Sequence, residues 1–243
     1  MKGLLLPALL VVFAEIGARW LGPSDSVAPP SQTILAFGEA LADGSLASAT
    51  RDTLIAAFGG LGIGASIGLT LGVALGLLRT LDRLMELPIE VLRPIPSVAV
   101  IPVALVALGF GYRLEIAIVA FACVWPMLIF TRAAVGSVEP RLLEVARALR
   151  LTPWAKVSKI LIPAALPRIF VAFRLAAGVA LIVAVTVEIA VNPQGLGAAL
   201  MTAGQALRPD LTMAFLVWVG VVGFTLNQAL LAVEALLFRW GRR

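Results

Sequence analysis

The sequence predicts an all-α, polytopic membrane protein with about six transmembrane helices. Its 243 residues are 60% hydrophobic and 14% charged, with mean hydropathy +1.02, more apolar side chain than a soluble domain of this length can bury. A helix needs about 20 apolar residues to cross a bilayer core, and several charge-poor stretches of that length recur along the chain. The connections between them carry most of the lysine and arginine, as topology requires. One transmembrane domain over residues 1–243 accounts for all of this.

The first apolar stretch, Leu4 to Leu21, follows Lys2 and resembles a signal peptide at first sight. Glu15 and Arg19, with no Ala-x-Ala site before Trp20, favour a retained helix instead. Pro23 to Gly44 is polar and proline-bearing, an external loop with a short surface helix from Ser31 to Leu41. The second span runs from Asp52 to Leu78 and is followed by a charged turn to Arg93. The third, Pro94 to Gly109, holds Pro94, Pro96 and Pro102 and should be kinked. Leu114 to Val135, Ile169 to Val191 and Leu211 to Leu237 complete the six.

With the N-terminus inside, 15 of the 19 Lys and Arg face the cytoplasm, among them Lys2, Arg93, Arg239, Arg242 and Arg243. Only Arg19, Arg51, Arg113 and Arg208 lie outside. Both termini and the loop from Glu139 to Pro167 are then cytoplasmic. The net charge of +5 would suggest nucleic acid in a soluble protein; here the helix ends explain it, and no nucleic-acid partner is expected.

Gly60, Gly64, Gly68, Gly72 and Gly76 recur every fourth residue in the second span, so one stripe of that helix admits another backbone at close range. A nucleotide-binding loop is the alternative for Gly60, Gly62 and Gly64, but no Lys-Ser/Thr pair follows and no strand precedes. ATP, if it drives this protein, is hydrolysed on another chain. With no histidine and a single cysteine, Cys123, disulfides, zinc-finger spacing and Cys/His nucleophile pairs are ruled out together, and no metal site is expected.

In the cytoplasmic loop, Pro140 suits a first helical turn, and Leu142, Leu143, Ala146 and Leu149 share one face. Arg141, Glu144, Arg147 and Arg150 line another at spacing three. Thr152-Pro153 marks the start of a second short helix, and Pro163 and Pro167 mark re-entry into the membrane. By charge alone this is a basic amphipathic hairpin on anionic headgroups.

Spacing adds more. Glu144, Ala146, position 150, Ile160 and Pro163 resemble the Glu-Ala-Ala, three residues, Gly, nine residues, Ile-x-Leu-Pro pattern in permeases of binding-protein-dependent ABC importers. The stretch Leu92-Arg-Pro-Ile-Pro-Ser-Val-Ala-Val-Ile-Pro102, with Leu108-Gly-Phe-Gly111, Trp125-Pro126, Glu188 and Gly195-Leu-Gly197, is similar to the nitrate/sulfonate/taurine branch. The resemblance covers roughly Ser31 to the C-terminus. It implies a type I importer permease fold, ATPase subunits that hold ATP and Mg, a periplasmic or surface solute-binding protein, a second permease copy, and a bacterial inner membrane location.

The resemblance further implies that Glu144 meets an ATPase arginine, that Ala146 permits close approach, that Arg147 lies on the ATPase-coupling helix, and that Leu142, Leu143 and Leu149 pack it. Val145 replaces the second residue of the Glu-Ala-Ala motif, and Ile162 stands where the family has Leu. Arg150 replaces a glycine that the family uses for positive φ. Strain there is expected to shift the break, with the helix continuing through Arg150 and turning at Leu151-Thr152.

Polar residues inside spans are costly and point to function. Ser97, Thr131, Thr186, Glu188 and Asn227 are the pathway or gate candidates, although Ser and Thr often bond their own backbone. Glu188 would repel an anionic substrate, which favours a structural or gating role. Two rivals are an ion-driven secondary transporter, which predicts inverted repeats and acidic broken helices at mid-membrane, and a scaffold that transports nothing. No internal repeat is present, and the centres of the spans are almost free of acids.

Overall fold

A computed structural model describes residues 5–21 and 27–238, and among them the regular structure is helical, without a strand. Lys2, Arg239, Arg242 and Arg243, and Pro23 in the external loop, lie outside the described residues. The elements are α1 (Leu5–Leu21), α2 (Pro30–Ala42), α3 (Ser45–Leu77), α4 (Arg79–Leu92), a 3₁₀ turn (Ser97–Val100), α5 (Ile101–Leu108), α6 (Tyr112–Gly136) and α7 (Pro140–Ala148). There follow α8 (Pro153–Lys156), a π turn (Val157–Leu161), α9 (Ile162–Ala190), α10 (Leu196–Gln205) and α11 (Pro209–Leu237). The surface helix read from Ser31 to Leu41 is α2.

Among the described residues four helices are long and apolar enough to cross a membrane: α3 with 33 residues, α6 with 25, the continuous run Pro153–Ala190 with 38, and α11 with 29. The pair Arg79–Leu92 and Ser97–Leu108, bent by 81°, makes a fifth if its two helices count as one broken span. That break is sharper than the kink expected for the third span. Arg93 still has helical angles, φ −58° and ψ −43°, and the chain breaks after it, where Pro94 and Pro96 each lack a backbone donor and Pro96 is extended at ψ 124°. The count of six therefore rests on α1, whose 17 described residues sit at the short end of the spanning range.

The chain groups into two compact units, Met1–Leu54 with Val185–Phe224, and Ile55–Ala184 with Thr225–Arg243. The points of division fall inside α3, α9 and α11.

In the second unit the glycine stripe is a helix interface. A Cβ on Gly60 would stand 2.5 Å from the Val119 Cβ, on Gly68 2.6 Å from Met127, on Gly72 2.7 Å from Thr131 and on Gly76 2.7 Å from Val135. A Cβ on Gly64 would strike the Ala120 carbonyl oxygen. Numbers rise together on both helices, so α3 and α6 run parallel in a fixed register. Parallel neighbours require the chain between them to return. Residues 79–111 therefore travel from the Gly76 end of α3 back to the Gly59 end, where Ile116 waits, and the bent pair makes one traverse.

The α9 segment runs antiparallel to α6: Arg168 Nη1 donates to Ser137 Oγ and Cys123 Sγ lies 3.4 Å from the Ala176 carbonyl oxygen. Arg174 pairs with Glu234 at 2.9 Å, and Phe170 meets Phe238 at 5.8 Å, so α11 reverses again. One end of this unit thus collects Gly76, Ser137, Arg168 and Phe238. Leu75, Ile89 and Leu128 form a buried cluster there, with Leu81, Met85 and Ile129 against it. Outward faces are apolar, with Val106 91% and Ile182 68% exposed, as lipid contact requires.

In the first unit Glu15 ties α1 to α2: its Oε2 accepts from the Ser31 N–H at 3.0 Å, and Arg19 Nε lies 2.6 Å from Oε1. Trp218 Nε1 donates to Thr50 Oγ1 at 2.7 Å, and Phe37 stacks on its ring at 5.5 Å. Asp43 Oδ1 accepts from Ser45 N–H at 2.8 Å, which starts α3 and holds that carboxyl below the usual carboxylate range.

Candidate functional site

α7 begins with Pro140 and its hydrogen-bonded turns end on Leu149. Arg150 follows at φ 48°. Its N–H donates to the Arg147 carbonyl at 3.0 Å, and Leu151 N–H to the Ala146 carbonyl at 3.0 Å. These are the paired bonds of a left-handed helix cap. The expectation that the helix continues through Arg150 and turns at Leu151-Thr152 is overturned. Pro153 holds Thr152 extended, at ψ 156°, so Arg150 and Leu151 alone must reverse the chain. Two backbone hydrogen bonds offset a strain of about 1 kcal/mol.

Thr152 Oγ1 accepts from the Ala155 N–H at 3.3 Å, the cap expected of it. The helix that starts there does not stop. It continues through the π turn into α9, with Pro163 and Pro167 inside it rather than at a re-entry break. The wider turn falls where the Pro163 ring would otherwise meet the carbonyl of Lys159.

Ala146 is buried at 2% exposure, and α7 rests on the π-turn segment. Glu144, Arg147 and Arg150 are exposed. Leu149 is 65% exposed and Leu142 37%, so within this chain both are open to a partner; the side chain of Leu143 lies outside the described residues. Nine helical residues offer this chain one narrow face, and Ala146 fills it. The remainder, with Val145 at 49% and Trp154 at 79% exposure, is an apolar patch set among charges. At its base Arg132 Nη2 donates to Asp82 Oδ2 at 2.8 Å, beside a cavity of about 460 Å³ that also takes Arg79 and Lys156.

Glu188 is 2% exposed, and its Oε2 accepts from the Gly197 N–H at 2.7 Å. A carboxylate at the start of α10 suits the helix dipole. Thr53 Oγ1 accepts from the neighbouring Leu196 N–H at 2.9 Å, a partner that sequence spacing had no means of revealing. Gly195 has φ 95°, and a Cβ there would strike the Glu188 carboxylate.

The other pathway candidates scatter. Thr131 is fully buried against Gly72, Thr186 is half-buried, and Asn227 is exposed. Ser97 lines a cavity of about 360 Å³ with Arg93 and Trp125. Sequence reasoning named neither as a pathway residue: Arg93 reads as a flanking cytoplasmic charge, and Trp125 enters only through the Trp125-Pro126 motif of the resemblance. A basic residue directly before Pro-x-Pro in a span was the available signal. Arg208, an external cation by sequence, is held by Asp210 at 2.9 Å and Glu39 at 3.7 Å.

Apolar helices bundled on glycine, with a charged helical loop at the end where Ser137 and Phe238 meet, define a multi-pass membrane protein built around an exposed helix–turn–helix. Residues 64–240 match the family model of the binding-protein-dependent transport system inner membrane component. The chain belongs to that family, the permease subunits of ABC importers. It is 29% identical over 99% of its length to a putative aliphatic sulfonates transport permease of Bacillus subtilis, covering 87% of that protein. A riboflavin transport system permease of Chloroflexus aurantiacus is 32% identical over 96% of the chain and 87% of its own. A nitrate import permease of Synechocystis is 31% identical over 61% of the chain and 54% of its own. The solved inward-facing MetNI methionine ABC transporter shares the fold, with TM-score 0.68 at 23% identity over 76% of this chain and 92% of that one.

Proposed function

We propose that this permease forms the translocation pathway for a small organic anion, a sulfonate such as taurine, or for nitrate, handed over outside by a solute-binding protein. Two copies make the pathway, and each α7 docks on an ATPase chain that holds ATP and Mg. This chain is then not itself an enzyme, and its own fold needs no cofactor. Both termini and α7 face the cytoplasm.

The observation that carries this reading is the exposed face of α7. Glu144 and Arg147 beside Val145, Leu149 and Trp154 mix charges with apolar groups as an interaction face does, and the Glu-Ala-Ala spacing they carry favours a protein partner over a headgroup layer. ATP-driven closure of the ATPases would draw the two loops together and tilt the long helices attached to them. The continuous run Pro153–Ala190 suits this, since it connects α8 to the membrane without a chain break, although it carries a π turn and Pro167.

Reconstitution with the partner ATPase and binding protein tests the whole. Uptake that requires ATP and both partners supports it; uptake driven by an ion gradient alone, or none with every partner present, overturns it. Within that system Glu144→Ala should cut binding-protein-stimulated ATP hydrolysis about tenfold or more, the loss expected when one charge-assisted contact goes. Membrane insertion should be unaffected. Wild-type stimulation in this variant would remove Glu144 from the coupling contact.

A further inference from the structure

The cavity of about 360 Å³ beside α6 lies at mid-depth in the second unit. Trp125 is near the centre of the 25-residue α6, level with the stretch of α3 between Gly64 and Gly68. Arg93 enters from the Pro94–Pro96 break and Ser97 from the 3₁₀ turn behind it; Phe121, Phe130 and Val183 close the walls. The volume suits a small solute rather than a large one.

Its polar chemistry has one sign. Arg93 is the only ionisable residue in the lining, and it has no ion-pair partner among the described residues. Trp125 Nε1 is buried without a hydrogen-bond partner among them, and the indole is held edge-on by Phe121 at 5.6 Å and 86°. A buried N–H left unpaired in an apolar wall is costly. A guanidinium at this depth is not solvated by lipid tails and marks an ion path by default. Guanidinium and indole only donate, and a hydroxyl can donate to the same acceptor. Their complement is a group that only accepts.

Resting on the proposed transport function, we infer that Arg93, Trp125 and Ser97 form a mid-membrane station that binds the oxoanion group of the substrate, the sulfonate or nitrate oxygens, during passage. Arg93 supplies the charge and two parallel donors. Trp125 fixes orientation with one N–H. The walls between these groups are apolar and the cavity is open, with Arg93 exposed, so the anion can enter and the contacts are too few to trap it. A neutral solute can accept the same hydrogen bonds but gains no charge pairing with Arg93.

The test uses the full importer, permease with its ATPase and binding protein, in proteoliposomes, with ³⁵S-taurine and nitrate as probes. Arg93→Gln should lower anion taken up per ATP hydrolysed by about tenfold or more, Trp125→Phe by a smaller factor. Arg93→Lys should restore part of it, and Arg83→Gln, an exposed charge on α4, should leave uptake at the wild-type level. Independently of transport, taurine added to the solubilised complex should change tryptophan emission. That change should vanish in Trp125→Phe and shift to higher concentration in Arg93→Gln.

Wild-type uptake of both anions by Arg93→Gln, or an emission change that survives Trp125→Phe, overturns the station while leaving the importer intact. If Arg93→Gln does not assemble, normal uptake by both Trp125→Phe and Ser97→Ala overturns it equally. A wild-type complex that imports riboflavin but neither anion overturns the oxoanion class. One that imports nothing with all partners present overturns the transport reading itself.

Discussion

At the scale of single residues, Arg150 shows how a fold can hold a side chain where glycine is the easier choice. Its left-handed φ is set by the bonds from Arg150 and Leu151 back into α7 and by Pro153 ahead. Arg150→Gly removes the strain, so it should raise the melting temperature of the purified permease by a few degrees, on the order of 1 kcal/mol. A drop would mean that the Arg150 side chain contributes more than its backbone costs. Leu207 repeats the arrangement at the end of α10 at φ 53°, its N–H donating to the Gly204 carbonyl and the Arg208 N–H to that of Ala203. Glu188 is the opposite case, a buried charge made tolerable by a helix start, which accounts for an acid near the end of a span without asking it to touch substrate.

Among the helices, α3 and α6 define the rigid pair on which the second unit is built. Gly68 and Gly62 lie on the same helix but meet different surroundings: a Cβ on Gly68 would stand 2.6 Å from the Val124 carbonyl oxygen, while Gly62 has nothing within 4 Å. Alanine should therefore act with opposite signs. Gly68→Ala should lower thermal stability in detergent, at a cost of about 1–3 kcal/mol from overpacking. Gly62→Ala should leave it unchanged or raise it by the gain in helix propensity, up to about 1 kcal/mol. Equal effects would show that the stripe is not the interface. The same stripe disposes of the phosphate-loop alternative, since Gly60, Gly62 and Gly64 are mid-helix and two of them are filled by α6.

For the molecule as a whole, the quantity to establish is orientation. The parallel pair places Gly76, Ser137 and the α7 loop at one end and Arg113 toward the other. The proposed orientation, argued from charge asymmetry, puts the first end in the cytoplasm. Cys123 is buried, so new cysteines can be read against it. Leu149→Cys should react with an impermeant maleimide only in inside-out vesicles, and Arg113→Cys only in right-side-out ones. The reverse pattern would invert the topology and remove α7 from the ATPase side.

Much was legible before any coordinates. Composition and run length are properties of the chain itself, so they fixed the helical membrane class. The proline, threonine and glycine signals fixed α2, the Pro140 and Thr152 starts and the glycine face, because each acts within a turn or two of its own position. Tertiary structure decided the rest, because those outcomes depend on residues far apart in sequence. Partners found only on folding set the register of α3 on α6, the depth of Arg93 beside Trp125, the Thr53 contact to Leu196 and the exposure of Leu149. Even the local forecast at Arg150 turned on this. Strain argued for moving the break, and the geometry imposed by the next helix argued more strongly for keeping it.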